Sequence, residues 1–197
     1  MHLNKKNLRL ITVENKIRNK TEVKVELLIK KAIKGDSEAF ISLIDKHEVS
    51  MYKTAKAILN NEEDIGDAIQ ETILAAYKNI QSLNNTKYFK TWLTRILINK
   101  CNDIVRSNKN IVFIDTYKEE VYEEKIDDKL EFDECFEKLS SEYKLVLNLY
   151  YVEGFNSREI SEMLNENENT IKSRLLRAKK YLKNFLLNNK EEGVEYA

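Results

Sequence analysis

The chain has 197 residues, and its 33 basic and 33 acidic residues cancel, so net charge gives no sign of a nucleic-acid partner. It contains no proline and only four glycines, which favours long helices joined by short polar turns. No stretch approaches the roughly 18 consecutive apolar residues that cross a membrane, so we expect no membrane insertion.

Charge is divided between segments of the chain. Residues 1–34 hold ten basic and three acidic groups, whereas residues 111–137 hold three basic and eleven acidic groups. Such blocks usually mark tails and linkers. The sequence therefore predicts an all-α protein of two small helical domains, divided as follows: a basic flexible extension (1–22), a first domain (23–110), an acidic linker (111–137), a second domain (138–190) and a tail (191–197).

The histidine and cysteine residues give no metal or disulfide pattern. Cys101 and Cys135 have no CxxC partner and no clustered histidine, which favours reduced thiols in a cytosolic protein. His47 falls on the apolar side of a predicted helix without a second ligand at metal spacing, so a packing role is favoured. We expect no cofactor.

The segment EEDIGDAIQETILAAYKNI (62–80) predicts a helix in the first domain. Its acidic first turn suits a helix N-terminus, and Asp67, Gln70 and Glu71 project away from its apolar side. A solvated face and a docking surface both fit this pattern. A metal-dependent phosphodiesterase using Asp67 and Glu71 would need further ligands nearby, and the sequence offers none that is obvious.

The next predicted helix, YFKTWLTRILINKCNDIVRS (88–107), carries polar side chains along one side. Arg95, Asn99, Asn102 and Arg106 recur at helical spacing beside two aromatic residues, Tyr88 and Trp92. Cations that follow phosphates and aromatic rings that stack on bases suit single-stranded DNA. A core position for Trp92 remains an equally open alternative.

The stretch from Asn156 to Leu186 predicts two helices joined by a tight turn. Asn156 and Glu159 have the spacing of a capping box, and Asn165 sits where a left-handed residue would end the first helix. In the second helix one side is apolar and the other carries lysine, arginine and serine. A helix-turn-helix needs that division, because one face packs on its scaffold while the other enters the major groove.

These motifs resemble one family. NTIKSRLLRAKKYL (169–182) resembles the promoter-reading helix of bacterial RNA polymerase sigma factors of the extracytoplasmic-function class, and EISEML (159–164) resembles the helix before it. DAIQE fits the family's D-x-x-Q-E pattern, and FKTWLTRILINK resembles F-R-T-W-L-x-R-I-x-x-N. Ser140 and Asn165 depart from the family's usual proline and turn glycine.

The resemblance implies a sigma subunit rather than an enzyme, acting in the cytoplasm with core RNA polymerase and promoter DNA. Asp67, Gln70 and Glu71 would dock on the clamp helices of the largest polymerase subunit, with a further contact to the flap. The acidic linker would follow the polymerase channels, and a solvated linker remains an open alternative for this segment. Many relatives are held inactive by an anti-sigma protein, so such a partner is an expectation of the resemblance alone.

The resemblance also implies two DNA-binding sets. The −10 element would be opened by a loop that holds a flipped base, together with the helix after it: Asn84, Asn85, Thr86, Tyr88, Trp92, Arg95, Asn99, Asn102 and Arg106. The −35 element would be read by Asn169, Thr170, Lys172, Ser173, Arg174, Leu176, Arg177 and Lys180. Among the cations, Arg174 and Lys179 are expected on phosphates.

Three alternatives remain open at this point. The first is a free-standing helix-turn-helix regulator that dimerises through its N-terminal domain and binds palindromic half-sites without polymerase. The second is the phosphodiesterase. The third is a helical adaptor without a nucleic-acid role.

Overall fold

The computed structural model describes residues 23–111, Phe136 and residues 138–192. Throughout these residues the regular elements are α-, 3₁₀- or π-helical, as the sequence predicts. The predicted extension (1–22), almost all of the acidic linker and the last residues of the tail lie outside the described residues.

The first domain consists of four helices: α1 (23–33), α2 (Ser37–Lys56), α3 (Glu62–Asn79) and α4 (Phe89–Ile111). Gly35 has φ +93°, a left-handed value that glycine adopts without strain, and Asp36 then caps α2 by accepting from the Ala39 N–H at 2.9 Å. Apolar residues at helical spacing predict that this helix continues to Asn60–Asn61, but α2 ends a few residues earlier, at Lys56.

One hydrophobic cluster joins the four helices of this domain. Leu43, Ile65, Leu93 and Leu97 are its fully buried centre. Predicted as a packing residue, His47 lies against Phe89 with ring centroids 5.5 Å apart. The apolar residues that recur at helical spacing in these four helices therefore form a single core.

The second domain contains α5 (Ser141–Leu147), a π-helical turn (Asn148–Val152), α6 (Ser157–Leu164) and α7 (Glu168–Glu192). Its cluster is centred on Val146, Leu149, Ile160 and Ile171. Gly154 has φ +74°, which turns the chain sharply between the π-helical turn and α6.

The sequence prediction for the end of α5 is wrong. The helical spacing of Leu139, Tyr143, Val146 and Leu147 in the sequence predicts an apolar stripe that continues through Tyr150 and Tyr151. Both tyrosine side chains are exposed, however, and Leu149 is buried instead. The cause is the π-helical turn, which inserts extra backbone into the helix and shifts the residues that face the core. A stripe extrapolated at the α-helical period therefore fails after Leu147.

The two domains pack against each other. Ile98 of α4 is 1% exposed and belongs to the cluster of the second domain, against which Ile58 also packs. In addition, the Asn148 side-chain amide donates to the Thr54 hydroxyl at 3.0 Å, and both residues are buried. The chain therefore forms one body in this structure.

His47 makes fold stability depend on pH. Burial is the main cause that lowers its pKa, Lys90 and Lys46 add to the effect, and Glu153 opposes it. In the unfolded chain the His47 imidazole has its ordinary pKa of about 6.5. In the folded chain its pKa is lower, so protonation of His47 favours the unfolded state. The free energy of unfolding should therefore be largest above about pH 6.5 and fall as pH decreases through the folded pKa.

Urea unfolding at about pH 7.5 and 5.5 measures the decrease in the free energy of unfolding between these two pH values. His47→Gln should make this decrease smaller, because glutamine does not titrate. Carboxylates titrate in both proteins, so the difference between their pH slopes isolates the histidine. Equal slopes would contradict this role of His47.

Candidate nucleic-acid and docking surfaces

Helix α6 is fixed at its start by a complete capping box. The side-chain carbonyl oxygen of Asn156 accepts from the backbone N–H groups of Arg158 and Glu159, each at 3.0 Å. The Glu159 carboxylate in turn accepts from the Asn156 N–H at 2.9 Å. Phe155 and Ile160, on either side of the cap, are both buried, as a hydrophobic staple requires.

The turn between α6 and α7 forms without glycine. Asn165 has φ 53° and ψ 46°, so it takes the left-handed conformation that the sequence predicts. The Glu166 N–H then donates to the Ser161 carbonyl at 2.9 Å, and the Asn167 side chain accepts from the Asn169 N–H at 2.8 Å. Both helix ends are therefore held by hydrogen bonds, which sets the angle at which α7 leaves the turn.

Helix α7 has the two faces expected of a recognition helix. Ile171, Leu175 and Ala178 are buried. The predicted −35 residues that are exposed are Asn169, Thr170, Lys172, Ser173, Leu176, Arg177 and Lys180. Leu176 is 70% exposed, although leucine is normally buried. An apolar side chain among donors matches a major-groove reader, where leucine can contact a thymine methyl and arginine can contact guanine.

Arg174 lies elsewhere than expected. Its side chain is only 20% exposed, and its guanidinium lies between the carboxylates of Glu166 at 2.8 Å and Glu142 at 3.3 Å. These contacts tie α7 to the preceding turn and to α5. The structure thus places Arg174 inside the domain as a brace, and the phosphate contact predicted from the sequence does not fit this position.

An acidic residue at the start of α7 escaped the sequence analysis. The Glu168 carboxylate accepts from the Ser157 hydroxyl at 2.9 Å and pairs with the Lys172 ammonium at 2.8 Å. The hydrogen bond from Lys172, and then that from Ser157, lower the pKa of Glu168. Acidic residues are favoured in the first turn of a helix. The position of Glu168 at the start of the predicted helix could therefore have indicated its role from the sequence.

Lys179, predicted on phosphate, contacts Tyr151. Its ammonium lies 5.1 Å from the ring centroid. A hydrogen bond with Tyr151 is the largest cause that raises the pKa of Lys179. Lys179 is exposed, so a phosphate can compete for it.

The aromatic and polar stripe of α4 is partly open to solvent. Tyr88 is 63% exposed, and Arg95 and Asn99 are exposed about two and three helical turns further on. Trp92 is half-buried, and its ring lies 6.0 Å from that of Phe89 with a tilt of 41°. Trp92 therefore packs on the core while keeping part of its ring accessible, and its contact with single-stranded DNA stays a prediction.

The remaining −10 residues surround this stripe. Asn84 is exposed, whereas Asn85 accepts from the Lys87 N–H at 3.0 Å and caps the short 3₁₀ turn that precedes α4. Thr86 and Asn102 are half-buried. Arg106 is exposed and pairs with Asp103 at 2.9 Å. The loop and helix α4 thus lie side by side, but Asn85 has a local structural role.

The predicted docking residues of α3 lie on an exposed face that also carries apolar side chains. Asp67, Gln70 and Glu71 are exposed, and Glu71 pairs with Lys100 of α4 at 3.1 Å. Leu74 and Tyr77 continue the same face and are 54% and 53% exposed. Sequence analysis missed both, although their spacing from Asp67 and Gln70 is that of one helical face. Exposed apolar groups among charges are typical of a protein-binding surface.

Asp67 and Glu71 do not converge with other ligand types. Within the described part of the chain, no group of three or more histidine, cysteine, aspartate or glutamate residues could hold a metal ion. Among the described helices, none is both long and apolar enough to cross a membrane.

Comparison with known proteins agrees with the two helical domains. The model of sigma-70 region 2 matches residues 43–111, and the model of sigma-70 region 4 matches residues 129–182. The extracytoplasmic-function RNA polymerase sigma factor SigW of Bacillus subtilis is 30% identical over 181 residues, which cover 81% of this chain and 97% of SigW. The chain belongs to the sigma-70 family, in the extracytoplasmic-function class.

Other sigma factors give the same result. SigV of Bacillus subtilis is 29% identical over 151 residues, which cover 73% of this chain and 88% of SigV. The solved structure of CnrH in complex with the cytosolic domain of CnrY has a TM-score of 0.58 at 23% identity, covering 82% of this chain and 96% of that one. This likeness concerns the fold and confirms the all-α prediction.

Arg174 and Arg177 should respond differently to alanine. Arg174→Ala removes the brace between α7, the turn and α5, so we expect the free energy of unfolding to fall by about 1–2 kcal/mol, allowing for the partial exposure of both carboxylates. Arg177→Ala should leave stability within about 0.5 kcal/mol of the original, because its side chain is exposed. Urea unfolding of the two variants measures both values, and equal losses would contradict the assignment.

Proposed function

We propose that this chain is a sigma subunit that binds core RNA polymerase, reads the −35 element with α7 and opens the −10 element with α4. One observation carries the proposal: surfaces suited to duplex DNA, to single-stranded DNA and to a protein partner are all exposed on one chain of this family. The polymerase would carry out the chemistry, and the chain would act with it in the cytoplasm.

The duplex-binding surface is supported by the outer face of α7. Ser173, Leu176 and Arg177 present a hydroxyl, an apolar group and a guanidinium on one helical side. These groups suit several base edges, a thymine methyl and guanine respectively. Arg177 is the residue most suited to specificity, and Lys180 adds charge for the phosphates.

The surface for the opened strand is supported by Tyr88, Trp92, Arg95 and Asn99. The exposed ring of Tyr88 and the accessible part of Trp92 can stack on unpaired bases, while Arg95 can follow the phosphates. Asn84, in the adjoining loop, is placed to contact an extruded base.

The polymerase-docking surface is supported by the exposed face of α3. Asp67, Gln70 and Glu71 supply polar contacts, and Leu74 and Tyr77 supply apolar area further along the same face. We therefore extend the predicted set by these two residues. The partner would be the clamp helices of the largest polymerase subunit.

The regulator alternative would use the same recognition helix without polymerase. It requires a dimer and palindromic half-sites, whereas a sigma subunit requires polymerase for specific binding. The phosphodiesterase alternative requires convergent metal ligands around Asp67 and Glu71. The Glu71 carboxylate instead forms an ion pair with the Lys100 ammonium. We therefore favour the sigma subunit over both, and also over an adaptor without DNA.

Reversing charge on α3 should separate polymerase binding from folding. We expect the double variant Asp67→Lys, Glu71→Lys to lose co-purification with core polymerase, because like charges would replace complementary ones at the interface. Helical content by circular dichroism should stay unchanged, since both side chains are exposed.

The matched control is Glu48→Lys, which changes an exposed carboxylate on α2. This variant should bind polymerase like the original protein. If the double variant still co-purified with polymerase, the assignment of α3 as the docking surface would be contradicted.

Tyr88→Ala should impair promoter opening selectively. Stacking of one base on an aromatic ring contributes about 1–3 kcal/mol, so opening should slow roughly tenfold or more. Because Tyr88 is largely exposed, thermal stability should be retained. Permanganate reactivity of the −10 thymines measures opening directly.

A promoter that is already unpaired across the −10 element should partly restore transcription by Tyr88→Ala. Trp92→Ala should combine slower opening with lower stability, because this ring also packs on the core. Tyr150→Ala removes an exposed tyrosine ring from the second domain and serves as the control. Normal opening by a stable Tyr88→Ala variant would overturn the strand-binding role of this residue.

A further inference from the structure

Glu168 connects the first turns of the two helices of the helix-turn-helix. Its Oε1 atom accepts from the Ser157 hydroxyl of α6 at 2.9 Å and lies 2.8 Å from the Lys172 ammonium of α7. The hydrogen bond from Lys172 and then that from Ser157 lower the pKa of Glu168, and the charge of Arg158 lowers it further. The carboxylate is therefore charged at neutral pH. A negative charge is thus held at the end of α7 that meets DNA in the proposed function.

Lys172 lies on the side of α7 that faces the major groove in the proposed function. Glu168, Lys172 and Leu176 follow one another at intervals of four residues, which places them on one side of the helix. The side chain of Lys172 is 58% exposed. Side chains of a helix lean toward its N-terminus, and the contact with Glu168 keeps the ammonium at the start of α7. In a helix-turn-helix the N-terminal residues of the recognition helix contact the base edges.

An unrestrained lysine at this position would bind phosphates as readily as bases. Its ammonium is a point charge on a flexible stem of four carbons, so it can reach any nearby phosphate oxygen. Such contacts raise the affinity for all sequences alike, because they carry no information about the base. The Glu168 carboxylate neutralises this charge and accepts from one of the three ammonium donors. Two donors remain for acceptors on a base edge, such as O6 and N7 of guanine.

The contact with Ser157 distinguishes this arrangement from an ordinary surface ion pair. A glutamate and a lysine four residues apart form pairs on many helices, with little effect on stability. Here the carboxylate is also bound from another helix. The cap of α6 is Asn156, so the Ser157 hydroxyl is available for a different role. It fixes the carboxylate, and through the carboxylate the ammonium, relative to both helices.

We propose that Glu168, held by Ser157, is a positioning residue that directs Lys172 to the base edges of the −35 element and away from the phosphates. The inference rests on the proposed function and adds a source of sequence specificity to it. Glu168 lowers the general affinity for DNA and raises the discrimination between promoter sequences, since specificity is a difference between affinities.

Equilibrium binding of the chain together with core polymerase tests this role. The DNA is a genomic fragment that supports run-off transcription with this chain, and a set of versions in which each −35 base pair is replaced in turn. Affinities are measured between about 50 and 200 mM salt. The ratio of the affinities for the original and the replaced fragment gives the discrimination at each base pair.

Glu168→Gln keeps an acceptor for Ser157 but removes the negative charge. The variant should bind the replaced fragments more tightly, so that discrimination at one or two adjacent −35 base pairs falls roughly three- to tenfold. The slope of log affinity against log salt should become steeper by about one phosphate contact. In a Lys172→Met background the same substitution should leave both quantities nearly unchanged, because the cation that it releases is absent. Thermal stability should be retained, as for other exposed ion pairs.

Two further variants complete the comparison. Ser157→Ala keeps both charges and releases the carboxylate from α6, so it should lower discrimination at the same base pairs without changing the salt slope. Glu48→Gln changes the net charge by the same amount at an exposed position of α2. This control should behave like the original chain.

Unchanged discrimination in Glu168→Gln would overturn the proposal, as would equal changes in Glu48→Gln or an effect that persists in full without Lys172. Lower thermal stability with unchanged discrimination would leave Glu168 a purely structural role. Failure of the proposed function has a different result, since no fragment would then support run-off transcription with the original chain and both proposals would be contradicted.

Discussion

Helix α4 contributes side chains to both hydrophobic clusters, and the positions of the proposed surfaces depend on this shared helix. Leu93 and Leu97 pack in the first domain, while Ile98 packs in the second. Because two sides of α4 are covered, its remaining side faces solvent and carries Arg95 and Asn99. Closely packed cores tolerate little displacement, so α4 holds this stripe in a fixed orientation to the exposed face of α3 that we propose for docking.

The chain uses side-chain caps in place of proline to set its helix ends. Asp36, Asn61 and Asn156 each accept a backbone N–H at the start of a helix. Asn165 ends α6 in the left-handed conformation. Such caps contribute about 1 kcal/mol each and also fix the direction of the next helix. The geometry of the helix-turn-helix therefore follows from local hydrogen bonds, and its exposed face is presented rigidly.

Features determined by neighbours in sequence could be predicted, and features determined by distant contacts could not. The capping box of Asn156 and Glu159, the turn at Asn165 and the two faces of α7 depend on spacings of three or four residues and are confirmed. The position of Arg174 depends on Glu142, which lies on another helix, so the basic pattern of α7 alone suggested a phosphate contact. The π-helical turn and the burial of Glu153 likewise require the packed partner domain. Periodicity does not report these features because it counts residues along a single helix.

The most direct test of the account is run-off transcription with purified core polymerase on genomic fragments, with and without this protein. We expect discrete transcripts that start at positions preceded by shared −35 and −10 sequences and that require the protein. Loss of these transcripts when Arg177 is replaced by alanine would link initiation to the recognition helix. Equal transcription with and without the protein, or specific binding to palindromic DNA in the absence of polymerase, would contradict the assignment as a sigma subunit.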